Sequence, residues 1–191
     1  DAAADRVHVL YRLVASDQSF ILVTTVDALL QKVLPRKDLC NFAEPIEAGE
    51  ESDLESLTEK LLSGGYVRSI IVEEPGEFSI RGGILDIFCP LYPAPLRAEF
   101  FGDTIESLRF FSSENQRTTQ QVSEAILIPA REAVLEPGHR DETINRIRTR
   151  AADLDMPVRA VRKLIDQIKN EGLFPRIEGL TAMIYPEQDS L

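Results

Sequence analysis

The stretch that decides the fold runs from Glu73 to Phe111 and reads EEPGEFSIRGGILDIFCPLYPAPLRAEFFGDTIESLRFF. Apolar runs alternate with glycine turns along it, a pattern that is typical of consecutive β-strands. Gly102-Asp103 separates two such runs and predicts a two-residue hairpin, because glycine adopts the positive φ that such turns require. Alternation within the preceding run places Arg97 and Phe101 on the same face of a strand. A large aromatic beside a guanidinium is unusual for a solvated face and marks it for attention.

The composition is that of a globular protein. The chain has 191 residues, 43% of them hydrophobic, which is enough for one large domain or two small ones. It begins at Asp1 rather than at methionine, so we expect it to be part of a longer protein. The sequence shows no signal peptide and no apolar run long enough to span a membrane, and the expected location is the cytoplasm.

The negative charge is concentrated in the middle of the chain. Residues 43–130 hold six basic and sixteen acidic residues, a net charge of −10 out of −11 for the whole chain. Binding to the DNA backbone depends on cationic side chains that neutralise phosphates, which this segment lacks in number. The segment therefore favours a protein partner over direct duplex binding. The alternative is that its acidity only aids solubility.

The residues that would perform chemistry do not form a recognisable set. Cys40 and Cys89 are far apart in sequence and are interpreted as free thiols, and His8 and His139 are equally isolated. This spacing predicts neither a metal site nor a nucleophile with its base. The phosphate-binding motif GxxxxGK[ST] is absent from this sequence, so we expect no cofactor and no enzymatic activity in this segment.

The order of elements predicts mixed helices and strands. A first helix is followed by an apolar run at 20–25, which is interpreted as a buried parallel strand. Ser52 and Glu55 form a capping-box pattern for an amphipathic helix, and two further helices are expected between 141 and 170. A short strand is predicted at 182–185. The fold class is thus a β-rich α+β domain inserted between two pieces of an α/β domain.

Three motifs carry a resemblance to a known family: GEFSIRGGILDIF, LRAEFFGDTIESLRFF and NQRT. They resemble the N-terminal region of the bacterial transcription-repair coupling factor, which is itself similar to the excinuclease B subunit, UvrB. The resemblance implies that residues 1–42 and 131–191 are two parts of a degenerate helicase-like (RecA-like) domain. It also implies that residues 43–130 are the inserted domain, similar to the second domain of UvrB.

The same resemblance implies a site for the damage-recognition subunit UvrA. The family's contact residues match Arg81, Arg97 and Phe101 of this sequence, so these three are the candidate protein-binding residues. Arginine presents a planar fork of donors and is favoured at protein interfaces, as are aromatic residues. Arg81 would have to come from a neighbouring strand of the same sheet. The partner surface is expected to be acidic and to contain an apolar pocket.

Each candidate residue also has an explanation that needs no partner. Phe101 could pack beneath another part of the chain, and the two arginines could pair with nearby carboxylates. The candidate carboxylates are Glu99 or Glu106 for Arg97, and Glu77 or Asp86 for Arg81. Exposed pairs of that kind contribute little to stability.

By resemblance, this is a non-catalytic fragment that recruits UvrA in nucleotide excision repair by presenting a surface similar to that of UvrB. The parent protein is expected to be an ATP-driven DNA translocase that displaces stalled RNA polymerase, with its polymerase and DNA contacts outside this fragment. We also hypothesise that another domain of the parent covers the same face until it is needed. Two alternatives remain open: a fragment of UvrB itself, and a purely structural domain that packs inside its parent.

Overall fold

The computed structural model describes residues 2–16, 19–30, 32–135, 137–170, 174 and 177–185. The chain divides into two compact units, one made of Asp1–Ile21 and Arg36–Glu132 and the other of Leu22–Pro35 and Ala133–Leu191. Helices and mainly antiparallel strands occur together, which is the α+β class expected from the sequence. The helicase-like character of the flanking segments and the domain boundaries at 42 and 130 stay predictions.

The described helices and strands follow one another in the order given by their numbers. The helices are α1 Ala2–Ala15, α2 Val26–Leu30, α3 Arg36–Phe42, α4 Leu54–Ser63, α5 Arg140–Asp153, α6 Val158–Asn170 and α7 Thr181–Ile184. The strands are β1 Glu44–Glu47, β2 Val67–Arg68, β3 Glu77–Arg81, β4 Ile84–Ile87, β5 Leu96–Phe101, β6 Thr104–Phe111, β7 Thr118–Val122 and β8 Glu124–Leu127. Short 3₁₀ turns occur at Pro137–His139 and Ile177–Leu180.

A six-stranded sheet forms the centre of the first unit within the described residues. Its strand order is β2-β3-β4-β5-β6-β7, with β2 parallel to β3 and the other neighbours antiparallel. One face of the sheet is apolar, because alternation turns every second side chain of a strand toward the core. Its fully buried side chains include Phe78, Leu85, Leu96, Ala98 and Leu108. β1 and β8 pair separately in an antiparallel ribbon.

The predicted hairpin at Gly102-Asp103 is confirmed. β5 ends at Phe101, β6 begins at Thr104, and Gly102 has a φ of +60°. The register slips between Glu99 and Phe100, where β6 carries one extra residue and the strand bends. The loop 49–52 braces the hairpin, since the Ser52 amide donates to the Asp103 carbonyl oxygen and Glu51 bridges Thr104.

The amphipathic helix α4 is confirmed, but its predicted cap is wrong. Asp53 occupies the N-cap, and its carboxylate accepts hydrogen bonds from the amides of Glu55 and Ser56 at 3.3 and 2.9 Å. Ser52, the residue predicted for this role, lies one position too early. Aspartate satisfies the otherwise unpaired amides and its charge suits the positive end of the helix.

Helix α1 belongs to the first unit. Its buried face consists of Ala4, Val7 and Leu10, at the spacing of one helical stripe. The Arg6 guanidinium pairs with the carboxylate of Glu132, and a ring nitrogen of His8 lies 3.0 Å from the carbonyl oxygen of Pro90. These contacts attach α1 to residues 90–132 of the same unit.

In the second unit, α5 and α6 pack through a shared apolar cluster. Its buried members include Ile144, Ile147, Ile165 and Ile168. The Arg146 guanidinium donates to the carbonyl oxygens of Met183 and Ile184 and so connects residues 183–184 to α5. The strand predicted at 182–185 is wrong. Residues Thr181–Ile184 form the short helix α7, and Arg146 caps two of the carbonyl oxygens at its end.

The buried parallel strand predicted at 20–25 is also wrong. Residues 20–25 have no strand structure and their side chains are exposed, including Ile21 and Val23. A β-strand needs a neighbouring strand to satisfy its backbone, and no strand of the described chain pairs with this run. No helix in the described parts of the chain is long and apolar enough to cross a membrane.

Candidate protein-interaction site

The pairing register places the three candidate residues on one face of the six-stranded sheet. Arg81 on β3 pairs with Ile84 on β4, which pairs with Glu99 on β5. Arg97 and Phe101 lie two residues to either side of Glu99, so they point to the same side as Arg81. We call the surface formed by Arg81, Asp86, Arg97, Glu99 and Phe101 the arginine face. The expectation that the candidates share a sheet face is therefore met by the geometry, but the neighbouring strand expected for Arg81 is wrong, because β4 lies between β3 and β5.

Asp86 on β4 joins the two arginines. Its carboxylate accepts hydrogen bonds from Arg97 Nε at 2.6 Å and Nη2 at 2.9 Å, and from Arg81 Nη2 at 2.5 Å. Only 1% of the Asp86 side chain is exposed. A buried carboxylate is tolerated when charged donors satisfy its oxygens, and two guanidinium groups do so here. Asp86 thus fixes both arginines from beneath the arginine face.

Arg97 is held on two sides. Its guanidinium carbon lies 4.6 Å from the centroid of the Phe111 ring, a cation–π contact, while its edge pairs with Asp86. The hydrogen bonds to Asp86 raise the pKa of Arg97, and the nearby Glu99 charge acts in the same direction. The side chain is 17% exposed. Arg97 therefore offers a partner a small, rigid part of its surface, and its partner within the chain is Asp86 rather than Glu99 or Glu106.

Arg81 is the more accessible arginine. Its side chain is 46% exposed, and its Nη1 donates to the backbone carbonyl oxygen of Ile70 at 3.2 Å. Of the two carboxylates proposed from the sequence, Asp86 is the one it contacts. The Glu77 carboxylate instead accepts from the backbone amides of Glu73 and Glu74. Two anchors thus orient the Arg81 guanidinium while leaving part of it open to solvent.

Phe101 is exposed rather than packed beneath the chain. Its exposed fraction is 76%. The end of β5 that carries Phe101 is held against the β3–β4 turn, because the amide of Phe100 donates to the Gly83 carbonyl oxygen at 2.7 Å. A Cβ atom on Gly83 would lie 2.6 Å from the Phe100 carbonyl oxygen, so only glycine allows this approach. A large aromatic ring held this way at the surface is suited to insertion into a partner's pocket.

A second ion pair involves Glu99 of the arginine face, and no sequence motif predicted it. Arg109 on β6 pairs with Glu99, whose carboxylate also accepts from the Ser107 hydroxyl at 3.0 Å. Glu99 is therefore occupied across the strand pair and is not available to Arg97 as a hydrogen-bond partner. Asp86 was predicted as a possible partner of Arg81, but its pairing with Arg97 was missed, although a signal exists. A carboxylate at the centre of the apolar strand 84–88 requires a cationic partner.

The remaining reactive groups lie apart from this face. Cys89 is buried and burial raises the pKa of its thiol, whereas Cys40 is exposed. Across the described ranges, no cluster of three histidine, cysteine, aspartate or glutamate side chains has the arrangement of a metal site. The chemistry that the arginine face supports is recognition through charged hydrogen bonds and an apolar anchor.

Comparison with known proteins agrees with this geometry. Residues 45–132, which include the whole six-stranded sheet, match the family model of the UvrB interaction domain. The chain is therefore similar, over this segment, to proteins that carry a UvrB interaction domain. Over most of its length it is related to bacterial transcription-repair-coupling factors, as the resemblance of the three motifs implied.

The relatives cover different shares of this chain. It is 39% identical over 184 residues, or 92% of its length, to the transcription-repair-coupling factor of Myxococcus xanthus. It is 32% identical over 75% of its length to that of Bacillus subtilis, and 36% identical over 69% to that of Escherichia coli. The chain spans only 15%, 12% and 11% of these three relatives.

Proposed function

We propose that this chain is the part of a transcription-repair coupling factor that docks the repair subunit UvrA. The observation that carries the proposal is the arginine face, in which Arg81, Arg97 and an exposed Phe101 stand together within a UvrB interaction domain. The mechanism is mimicry: the face presents a surface similar to that of UvrB. The segment acts by binding and performs no catalysis of its own.

Docking on this face is directional. Residues 43–130 carry a net charge of −10, so long-range attraction between this segment and an acidic partner is absent. Affinity has to come from short contacts, in which Arg81 donates to a partner carboxylate and Phe101 fills an apolar pocket. Arg97 supports Arg81 through the shared Asp86 carboxylate, is itself held against the Phe111 ring, and adds its own exposed edge.

Within the parent protein, this docking links transcription to repair. A translocase elsewhere in the parent displaces a stalled RNA polymerase, and the arginine face then brings UvrA to the site. DNA and polymerase contacts lie outside this segment, in agreement with its negative charge. The relatives named above are all coupling factors, which favours this proposal over a fragment of UvrB. The exposure of Phe101 counts against a role limited to packing within this chain.

The test is a calorimetric titration of this chain with purified UvrA. Arg81→Ala, Arg97→Ala and Phe101→Ala are compared with two controls away from the face, Arg117→Ala and Phe20→Ala. We expect the Phe101 and Arg97 variants to weaken binding by about 2 kcal/mol or more, as for interface hot spots, and the controls to bind like wild type. Absence of wild-type binding, or equal binding by all variants, would contradict the proposal.

A further inference from the structure

A second exposed apolar residue lies at the other end of the arginine network. Ile70 follows the edge strand β2 and is 86% exposed, more than Phe101. Val67 and Ile71 in the same short segment are each about half exposed. Single exposed aliphatic residues are common, but a group of three beside an arginine forms a patch of the kind found at interfaces.

The backbone of Ile70 is held in place by the arginine face itself. Its carbonyl oxygen accepts hydrogen bonds from Arg81 Nη1 at 3.2 Å and from the Ser79 hydroxyl at 3.1 Å. The preceding residue, Ser69, bonds through its amide to Phe78 and through its hydroxyl to the Ile71 carbonyl oxygen at 2.7 Å. Binding costs less entropy when an anchor residue is already fixed, so this arrangement favours contact with a partner.

A second connection runs through the core. Val72, two residues after Ile70, is completely buried in a cluster with Phe88 and Phe111. The Phe111 ring is the one on which the Arg97 guanidinium rests. The segment 67–71 is thus attached to Arg81 by a hydrogen bond and to Arg97 through Phe111. These two contacts join the segment to the arginine face.

We infer that the segment 67–71, with Ile70 at its centre, is a second apolar anchor for the protein that docks on the arginine face. The inference rests on the proposed function, and its occupant is an apolar patch of UvrA bordering the acidic groups that meet Arg81. Phe101 and Ile70 then contact the partner from β5 and from the β2 edge of the sheet, with Arg81 on β3 between them and Arg97 on β5 beside Phe101. None of the three family motifs contains Ile70.

The test uses this chain and purified UvrA. Ile70→Ser is titrated beside Ile70→Val, which keeps most of the apolar surface, and Val158→Ser, a matched control that removes a similarly exposed aliphatic side chain from α6. We expect Ile70→Ser to weaken binding about 10-fold, and Ile70→Val and Val158→Ser to stay within about 2-fold of wild type. Urea unfolding of each variant verifies that the exposed substitution leaves the fold intact.

The outcomes separate this inference from the proposed function. If Arg81→Ala weakens binding and Ile70→Ser does not, the second anchor is refuted and the arginine face remains. If Ile70→Ser and Val158→Ser weaken binding equally, the loss is unspecific and the inference is refuted as well. If neither Arg81→Ala nor Phe101→Ala alters binding, the proposed function fails and the inference falls with it.

Discussion

Asp86 and Arg97 face each other across β4 and β5, and the carboxylate accepts two hydrogen bonds from one guanidinium, at 2.6 and 2.9 Å. The same carboxylate accepts a third from Arg81. Lysine cannot replace arginine in such an arrangement, because an ammonium group offers no planar pair of donors. One buried anion therefore determines the orientation of both cations on the arginine face.

Replacing Asp86 tests this clamp. Asp86→Asn keeps the shape of the side chain and removes its charge, which leaves the mostly buried Arg97 guanidinium without a counter-ion. We expect a loss of about 3 kcal/mol in the free energy of unfolding, measured with urea, together with weaker UvrA binding. Glu114→Gln, at an exposed turn after β6, is the control and should have no effect. An unchanged urea midpoint for Asp86→Asn would show that the clamp contributes nothing.

The close approach of the two hairpins predicts a strong effect at Gly83. Gly83→Ala places a Cβ atom against the Phe100 carbonyl oxygen, at a separation of 2.6 Å that the backbone cannot accept. We expect about 2–3 kcal/mol of destabilisation and a displaced Phe101. Gly138→Ala is the comparison, since a Cβ there meets nothing within 4 Å. Similar thermal stability of the two variants would contradict the tight contact.

The cap of α4 gives a third prediction. Asp53→Ala removes the acceptor for two helix amides, and we expect a cost of about 1 kcal/mol. Ser52→Ala, at the position that the capping-box pattern favours, should change stability by less than about 0.5 kcal/mol. Urea unfolding followed by circular dichroism distinguishes the two. A larger loss of stability in Ser52→Ala than in Asp53→Ala would support Ser52 as the cap, as predicted from the sequence.

Alkaline pH should destabilise the first unit through Tyr66. Its hydroxyl is buried and donates to the Ile128 carbonyl oxygen at 2.6 Å, and burial raises its pKa well above the ordinary value of 10.0. The unfolded chain loses this proton near pH 10 while the folded chain keeps it. The stability that Tyr66 contributes is therefore fully present below pH 10 and is lost as the pH rises further.

The measurement is the urea midpoint between pH 8 and 11. A single such group contributes a slope of up to about 1.4 kcal/mol per pH unit once the unfolded tyrosine ionises. Tyr66→Phe should reduce this slope, with a remainder from Cys89 and Tyr92, whose pKa values burial also raises. The same slope in Tyr66→Phe as in wild type would show that Tyr66 is not the group responsible.

The parts of the fold that short-range pattern determines could be predicted from the sequence. The alternation at 96–101 and the turn at Gly102 are local properties, so the hairpin and the shared face of Arg97 and Phe101 followed from them. The prediction of a strand at 20–25 was wrong, because these apolar residues have β propensity but no strand to pair with in the described chain. Whether residues with β propensity form a strand depends on their tertiary context.

The residues of the candidate site could be predicted from the sequence, but the contacts between them could not. Arg81, Arg97 and Phe101 came from family motifs, whereas their link through Asp86 depends on which strands become neighbours. Asp86 is five residues from Arg81 and eleven from Arg97, and only the register brings the three side chains together. Ile70 was missed for the same reason, since its tie to Arg81 is made by a backbone carbonyl that carries no sequence signal.

The segment that matches the family and the compact unit are different parts of the chain, because α1 packs into the first unit. The UvrB interaction domain matches residues 45–132, yet the compact unit also takes in Asp1–Ile21 and the helix α3. Val7, Leu10 and Leu39 are buried in that unit although they lie outside the matched segment. The segment that matches the family and the unit that packs together therefore have different boundaries. A transplanted copy of 45–132 alone would lack its α1 contacts at Pro90 and Glu132 and would need its new host to replace them.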